Sequence, residues 1–393
     1  MLFDEKNFNG EVFAAYVDQV EDLNRNELLK SGAIVEKPEY ASMLPDQVGG
    51  HYINLPIKAR IGGKSVNYDG NTNIEATSRK TYTQGRIVVG RANGWTEKDF
   101  SSDVTGEDFL PAAEEIAKYW DNVDQATLLN ILKGIFAMTG AKNLEFAKGH
   151  TYDISDTPDN MFGETTLNTG IQKALGDNKA KFKVCILHSQ VATNIENKKL
   201  IAYLKHTDKE GIERDLTLYS INGRLALVDD NMPSEEVEAE YVKATAADAG
   251  ALKVVSGEPG SASEIKLDDV TPAVEGYEPA VGDYVVLLPA GTKYTTYILG
   301  EGAIEYTNCG AKVPYEMDRR AEKNGGETTL YSRQRKIFSP VGISFKTGSI
   351  ISPTDEQLAD GSNWELANSN EEGSKKEYYP HKSIPIARII SRG

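Results

Sequence analysis

Cysteine is nearly absent from this chain. Its two copies, Cys185 and Cys309, lie in no CxxC and near no histidine at ligand spacing. That excludes a disulfide-stapled scaffold and argues against structural zinc. A reducing compartment and two inert thiols fit this usage. Histidine is scarce as well, with five scattered copies and no metal-ligand pattern. Long apolar runs are missing, since nothing approaches the roughly 18 unbroken apolar residues that a membrane span needs. The opening residues, MLFDEKNFNG, lack the basic stretch and apolar run of a signal peptide. Positive charge is also in deficit: 43 Lys and Arg stand against 59 Asp and Glu, for a net charge of −16. A general nucleic-acid binder needs basic patches to contact phosphates, so that class is disfavoured.

What is present is enough chain for two or more lobes. The 393 residues are 39% hydrophobic and 26% charged, ordinary proportions for a folded protein. The charge is segmented along the chain. Residues 1–45 hold nine acids and four bases, 51–95 hold two acids and seven bases, and 234–283 hold twelve acids and three bases. Segmentation of this kind suits surfaces that recognise one another, although solvated faces show it too.

No catalytic or cofactor motif survives inspection. Gly63-Lys64-Ser65 ends like a phosphate loop, but Lys58 stands where such a loop needs glycine. Asp69, Asn71 and Asn73 have the odd spacing of a calcium loop, yet Ile74 and Lys80 occupy its glycine and glutamate positions. Both read as turn chemistry at a hairpin tip. His188-Ser189 is not a base–nucleophile pair, since adjacent residues cannot easily share the needed bond and no GxSxG surrounds the serine. Ser189 reads instead as a helix N-cap. LGEGAI lacks dinucleotide-loop spacing. No enzyme activity, cofactor or metal is expected.

Along the chain, Phe8, Val12, Ala15, Tyr16, Val20 and Leu23 recur at helical spacing in an arm over 1–45, whose second half is punctuated as an extended segment. Ile53, Leu55, Ile57, Ala59 and Ile61 alternate with polar residues as a strand, and Pro56 confines it to an edge. With a second strand over Lys80 to Val89, it forms a protruding ribbon over 46–100 that needs a partner for stability. Asp108 caps a helix of about 30 residues, with Pro111 in its first turn and a bend expected near Asp121–Asp124. Helix, strand and helix follow through 166–197. Asn222-Gly223 then marks a tight hairpin. The acidic, Gly- and Pro-rich block 234–283 reads as an inserted β domain or a surface excursion. Strands return at DYVVLL, KYTTYIL and Thr328–Phe345, and the chain closes with SIPIARII.

These parts, in this order, resemble the tailed-phage major capsid proteins of the Hong-Kong-97-type fold. The motif-level likeness runs from about residue 119 to 390. Tyr119-Trp120 and Leu132-Lys133-Gly134-Ile135-Phe136 are similar to the family's spine helix. Val228-Asp229-Asp230-Asn231-Met232-Pro233, Tyr294-Thr295-Thr296-Tyr297, Pro340-Val341-Gly342 and Asn363-Trp364-Glu365 are similar to later blocks. The resemblance implies an α+β fold with an N-terminal arm (1–45), an extended hairpin loop (46–100) and a spine helix with peripheral domain (101–180). An axial domain would begin over 181–233, be interrupted by the 234–283 insertion, and finish with the peripheral domain over 284–393.

It also implies a structural, self-assembling role in an icosahedral bacteriophage head. The subunits would form hexamers and pentamers that enclose DNA without sequence-specific binding. A separate scaffolding protein, a portal and decoration proteins are the implied partners, with assembly in the host cytoplasm and no membrane. An encapsulin-like compartment shell is the alternative on the same fold. The chain is expected to remain uncleaved, and covalent cross-linking through Lys64 or Lys80 is not expected. Lys64, Arg79 and Lys80 near the ribbon tip are expected to meet Glu107, Asp108, Glu114 and Glu115 of a neighbouring copy.

Overall fold

The computed structural model describes residues 31–44, 50–58, 65–69, 72–73, 79–99, 112–198, 201–207, 213–346 and 348–393, with side chains except at 112–114, 201–207, 213–219 and 374. The arm helix expected over 8–23 and the Asp108 cap lie outside the described residues. The fold is mixed α+β, as expected, and divides into two compact units.

The first unit takes in residues up to Ala147 together with Glu301–Ile384. Its sheet is built from β1 (Ile34–Glu36), β2 (Tyr52–Lys58), β3 (Thr81–Lys98), β15 (Ile304–Asn308), β16 (Tyr315–Arg320) and β17 (Glu327–Pro340), in the order β1-β15-β17-β3-β2, with β16 also on β17. Pro56 falls in β2, the outermost strand, where its missing N–H breaks no central ladder. The expected free-standing ribbon is corrected. β3 runs to Lys98 rather than Val89, and its second half pairs with β17 from Ile337 to Glu327. β17 takes over as the partner of β3 where the β2 ladder ends at Ile87, so the ribbon is anchored at one end in a larger sheet of its own chain, and a lone hairpin's instability is met there.

The second half of the arm also packs at home. β1 adds in parallel to β15, and α1 (Glu39–Met43) buries Tyr40 against Ile53, Val88 and Ile337. The apolar face of this short segment is covered, although its Pro and Gly suggested extension alone.

The long helix α2 (Ala112–Phe136) is continuous through Asp121–Asp124, where a bend was expected. Asp124 gives its carboxylate to Lys336 at 2.5 Å. Trp120 Nε1 donates to Ser332 Oγ at 3.0 Å, tying the helix to β17. Gly134 sits under the Leu358 carbonyl and the Trp364 ring, and any side chain there would overlap both. Leu358 belongs to α6 (Asp355–Ala359), which starts with a complete capping box between Thr354 and Gln357.

The second unit spans Lys148–Gly300 and Pro385–Gly393. Its eight-stranded sheet follows the order β4-β20-β14-β5-β8-β7-β6, with β9 on β14. The strands are β4 (Thr151–Asp153), β5 (Phe182–Leu187), β6 (Ile201–Thr207), β7 (Glu213–Ile221), β8 (Arg224–Val228), β9 (Ser234–Val237), β14 (Gly291–Gly300) and β20 (Ile386–Ser391). The β7–β8 turn has Asn222 at φ 50° and Gly223 at φ 74°, the doubly left-handed turn that Asn-Gly predicts. α4 (Thr166–Leu175) and α5 (Ser189–Asn197) add Leu167, Ile171, Val191 and Ile195 to a core with Phe182, Ile298 and Ile389. His188, not Ser189, is the cap of α5: its Nδ1 accepts from the Gln190 amide at 3.1 Å.

Burial in this core sets an alkaline limit. Burial pushes the Cys185 thiol and the Tyr297 phenol up to about 12, from ordinary values of 9.0 and 10.0. Groups raised in the folded state contribute stability that is complete below pH 9 and lost as pH climbs towards 12. Far-UV circular dichroism against pH should show this unit unfolding inside that window, and Cys185→Ala should move the onset upward. A flat profile to pH 12 would contradict the burial argument.

Residues between β9 and β14 fold on their own sheet. β10 (Glu240–Ala244), β11 (Leu252–Val255), β12 (Glu264–Lys266) and β13 (Tyr284–Leu288) order as β10-β13-β11-β12 around Val254, Ile265, Val270 and Val285. The expected 234–283 boundaries shift. β9 belongs to the large sheet, while β13, read from sequence as a returning body strand, belongs to the small one.

Candidate assembly surfaces

The ribbon root is held by buried polar groups. Arg86 is 5% exposed and its Nη2 lies 2.6 Å from Glu305 Oε2, which also accepts from the Tyr40 hydroxyl at 2.8 Å. The guanidinium stacks 4.8 Å from the Tyr40 ring centroid. Burial, opposed by the Arg86 guanidinium and reinforced by the Glu305 carboxylate, drives the Tyr40 hydroxyl well above the usual phenol range, so it stays a donor. Gln84, fully buried, extends its amide nitrogen to Pro340 O at 2.8 Å and Ile343 O at 3.0 Å. Burial leaves no water to replace these partners, so the root is rigidly positioned. Sequence reading missed Arg86, Glu305 and Tyr40 as a group. They lie in three segments up to 265 residues apart, and nothing local marks them.

Beyond the ladder's last pair, Lys58 with Thr81, the chain continues into a loop. Val66 and Tyr68 there are 41% and 94% exposed. Asp69 caps its own turn, accepting from Thr72 N at 2.7 Å and Thr72 Oγ1 at 2.8 Å, which is the turn chemistry read from its spacing.

A groove opens at the ribbon root, with a volume of about 390 Å³. Tyr82, Tyr378 and Tyr379 form aromatic walls over Leu366, and Lys80, Lys142 and His381 stand among its polar lining. Tyr82 and Tyr379 meet edge to face at 5.8 Å. Lys376 lies 5.4 Å from the Tyr378 ring and bridges to Glu365 at 3.3 Å.

The sequence-predicted contact residues are scattered relative to this geometry. Lys64, Glu107 and Asp108 lie outside the described residues. Glu114 is in the first turn of α2, without a described side chain, and Glu115 is exposed beside it. Arg79 is exposed. Lys80 bonds Glu377 of its own chain at 2.6 Å, which places it at the ribbon root rather than near the tip. Both partners are about half exposed, so the pair is weak and exchangeable.

In the second unit, Arg392 is 6% exposed and lies 2.7 Å from Glu240, the first residue of the small sheet. Lys293 bonds Asp156 at 2.8 Å and approaches Glu240 at 3.8 Å. This cluster fixes the small sheet to strands β14 and β20. Among the described residues, no group of three or more His, Cys, Asp or Glu could hold a metal.

No family model matches the chain. The chain is similar to the major capsid protein of Bacillus phage SPP1, at 22% identity over 340 residues that cover 86% of this chain and 85% of that one. Among solved structures, the capsid of Ralstonia phage GP4 aligns over 79% of this chain and 84% of that one, at TM-score 0.46 and 11% identity. The acid-stable capsid of Helicobacter pylori bacteriophage KHP30 aligns over 92% and 87%, at TM-score 0.43 and 12% identity. The likeness to the SPP1 protein spans more than four fifths of both chains: by its sequence, the chain is similar to a phage major capsid protein.

Proposed function

We infer that this chain is the major capsid protein of a tailed phage, a subunit of the Hong-Kong-97 type that associates with copies of itself into the virion shell. The likeness to the SPP1 major capsid protein over 86% of this chain and 85% of that one carries the reading. A charge-segmented chain without a legible catalytic constellation accords with it. The role is structural rather than catalytic. The shell would be an icosahedral head of hexamers and pentamers, assembled in the host bacterial cytoplasm with a separate scaffolding protein, a portal and decoration proteins. A net charge of −16 suits a container that holds DNA without gripping it.

The basic flanks of the ribbon, Lys64 and Arg79 with Lys80 in exchange for Glu377, would lie against Glu107, Asp108, Glu114 and Glu115 of a neighbour. Each exposed pair contributes only about 0.2–1 kcal/mol, but a shell repeats the contact in every subunit. The full-length chain at high concentration should give capsomers, shells or tubes by light scattering and negative-stain imaging. A strictly monomeric profile, with and without a scaffolding protein, would remove the shell reading. Arg79→Glu with Lys80→Glu should lower assembly yield at low salt while leaving the subunit folded. Equal yields for the variant and the parent chain at low and high salt would mean the basic flank only faces solvent.

A further inference from the structure

We propose that the inserted small domain is mounted on a hinge and that Arg392 is the clamp that holds the hinge shut. With that guanidinium removed, the domain turns as a rigid body. The first observation is the neck. The ladder of β9 with β14 ends at Val237 and Gly291, and that of β10 with β13 begins at Glu240 and Leu288. Residues 238–239 on the way out and 289–290 on the way back belong to neither ladder, and Glu238, Pro289 and Ala290 are exposed. Two short unpaired segments side by side are where a rotation is absorbed at little cost.

The second observation is that the domain is a body of its own. Its sheet closes over Val254, Ile265, Val270 and Val285, all within the insertion. Among the described residues, no strand of that sheet pairs with the large sheet. Two bodies joined in this way move relative to one another unless something specific sets their angle.

The third observation is the clamp. Arg392 follows β20, and its backbone is anchored on the large-sheet body from both sides. Ser391 pairs with Tyr294, Arg392 N donates to Asn160 O at 2.8 Å, and Gly393 O accepts from Phe162 N at 2.8 Å. The guanidinium then directs three donors at three segments. Nε donates to Ser155 O of the body at 2.9 Å, Nη1 to Pro289 O on the returning neck at 2.7 Å, and Nη2 to Glu240 Oε1, where β10 begins, at 2.7 Å. A planar fork with donors in fixed directions holds those acceptors at one mutual angle. The side chain is 6% exposed, so water does not readily replace it. Lys293 of β14 lies 2.8 Å from Asp156 and 3.8 Å from the same Glu240, a looser second tie.

The closed clamp fixes which way an acidic surface faces. Residues 239–289 hold nine acids and three bases, so a turn about the neck redirects that charge without altering either sheet. The inference concerns the subunit by itself and holds whether or not copies assemble.

Spin labels on Ser256→Cys and Gln172→Cys, in a Cys309→Ser background of the full chain, report the angle as a distance distribution. Ser256 is exposed just beyond β11 and Gln172 is exposed on α4, while the remaining Cys185 is buried. The labelled parent should give a narrow distribution, and adding Arg392→Met should broaden it or add a second distance. Hydrogen exchange at the Val254 and Val285 amides should stay as slow in the variant as in the parent, since a turning body keeps its own sheet. A parent distribution already as broad as the variant's would show that Arg392 clamps nothing. A variant as narrow as the parent would leave the packing of buried Val242 and Leu288 to hold the angle. Either result overturns the proposal. Loss of protection at Val254 and Val285 would mean that the domain unfolds rather than turns, and overturns it as well. Should Arg392→Met not fold, Glu240→Ala, which leaves Arg392 its two carbonyl acceptors, carries the test from the other side of the contact. It should broaden the distribution, and an unchanged one would overturn the clamp.

Discussion

Replacing residues 239–289 with a short Asn-Gly turn should leave a soluble chain whose two units still unfold cooperatively. Excision along the compositional boundary, 234–283, should give largely insoluble protein. The difference follows from register. Val237 at the end of β9 pairs with Gly291 at the start of β14, so the chain leaves and re-enters the large sheet at directly opposed positions. Opposed residues in an antiparallel pair are only about 4.5–5.5 Å apart, a gap that a two-residue turn closes. The small domain is thus inserted at the tip of a hairpin. Cutting at 234 instead strips β9 from β14 and leaves β13, with fully buried Val285 and nearly buried Leu288, without its sheet. The precise excision also removes Glu240 and the Pro289 carbonyl from Arg392, which keeps Ser155 O at 2.9 Å and Asp156 at 3.8 Å. Solubility on expression, with circular dichroism melts of both deletions, decides the matter. Equal behaviour of the two would show that register does not define the insertion.

Arg86→Ala should destabilise the first unit by about 3–5 kcal/mol, the cost of stranding a buried charge. Glu305, with a side chain 15% exposed, would be left with only the Tyr40 hydroxyl among the partners described here. Joint replacement, Arg86→Met with Glu305→Leu, should recover much of the loss, because it removes both desolvation costs together. Tyr40→Phe, which deletes one hydrogen bond to a charged acceptor, should cost about 1.5–3 kcal/mol. Guanidinium titrations of the four chains supply the comparison. A loss under about 1 kcal/mol for Arg86→Ala would mean that water replaces the arginine, and the ribbon root would then not depend on this pair.

Short-range features were legible in the sequence because their causes are short-range. Asn222-Gly223 fixes its turn through backbone conformations that those residues adopt cheaply. Pro56 assigned β2 to an edge because proline lacks the ladder donor. The periodic apolar stripe of α2 and the alternation of β2 were readable for the same reason, since each repeats within a few residues. The resemblance to capsid proteins rested on many such local blocks kept in order.

What only the tertiary structure decided lies between distant segments. No local signal extends β3 beyond Val89, because its second half is stabilised by β17, more than 200 residues away. Composition located the inserted domain but misplaced both its edges, since strand pairing and not charge determines which sheet β9 and β13 join. Asp124 was read as a helix-bending competitor, yet Lys336 claims it from across the sequence. Lys80 was read as a tip charge, and its pair with Glu377 places it at the root. Backbone propensity and side-chain periodicity act over one turn or one strand, whereas strand pairing, buried ion pairs and groove walls form only when remote residues are brought within a few ångströms.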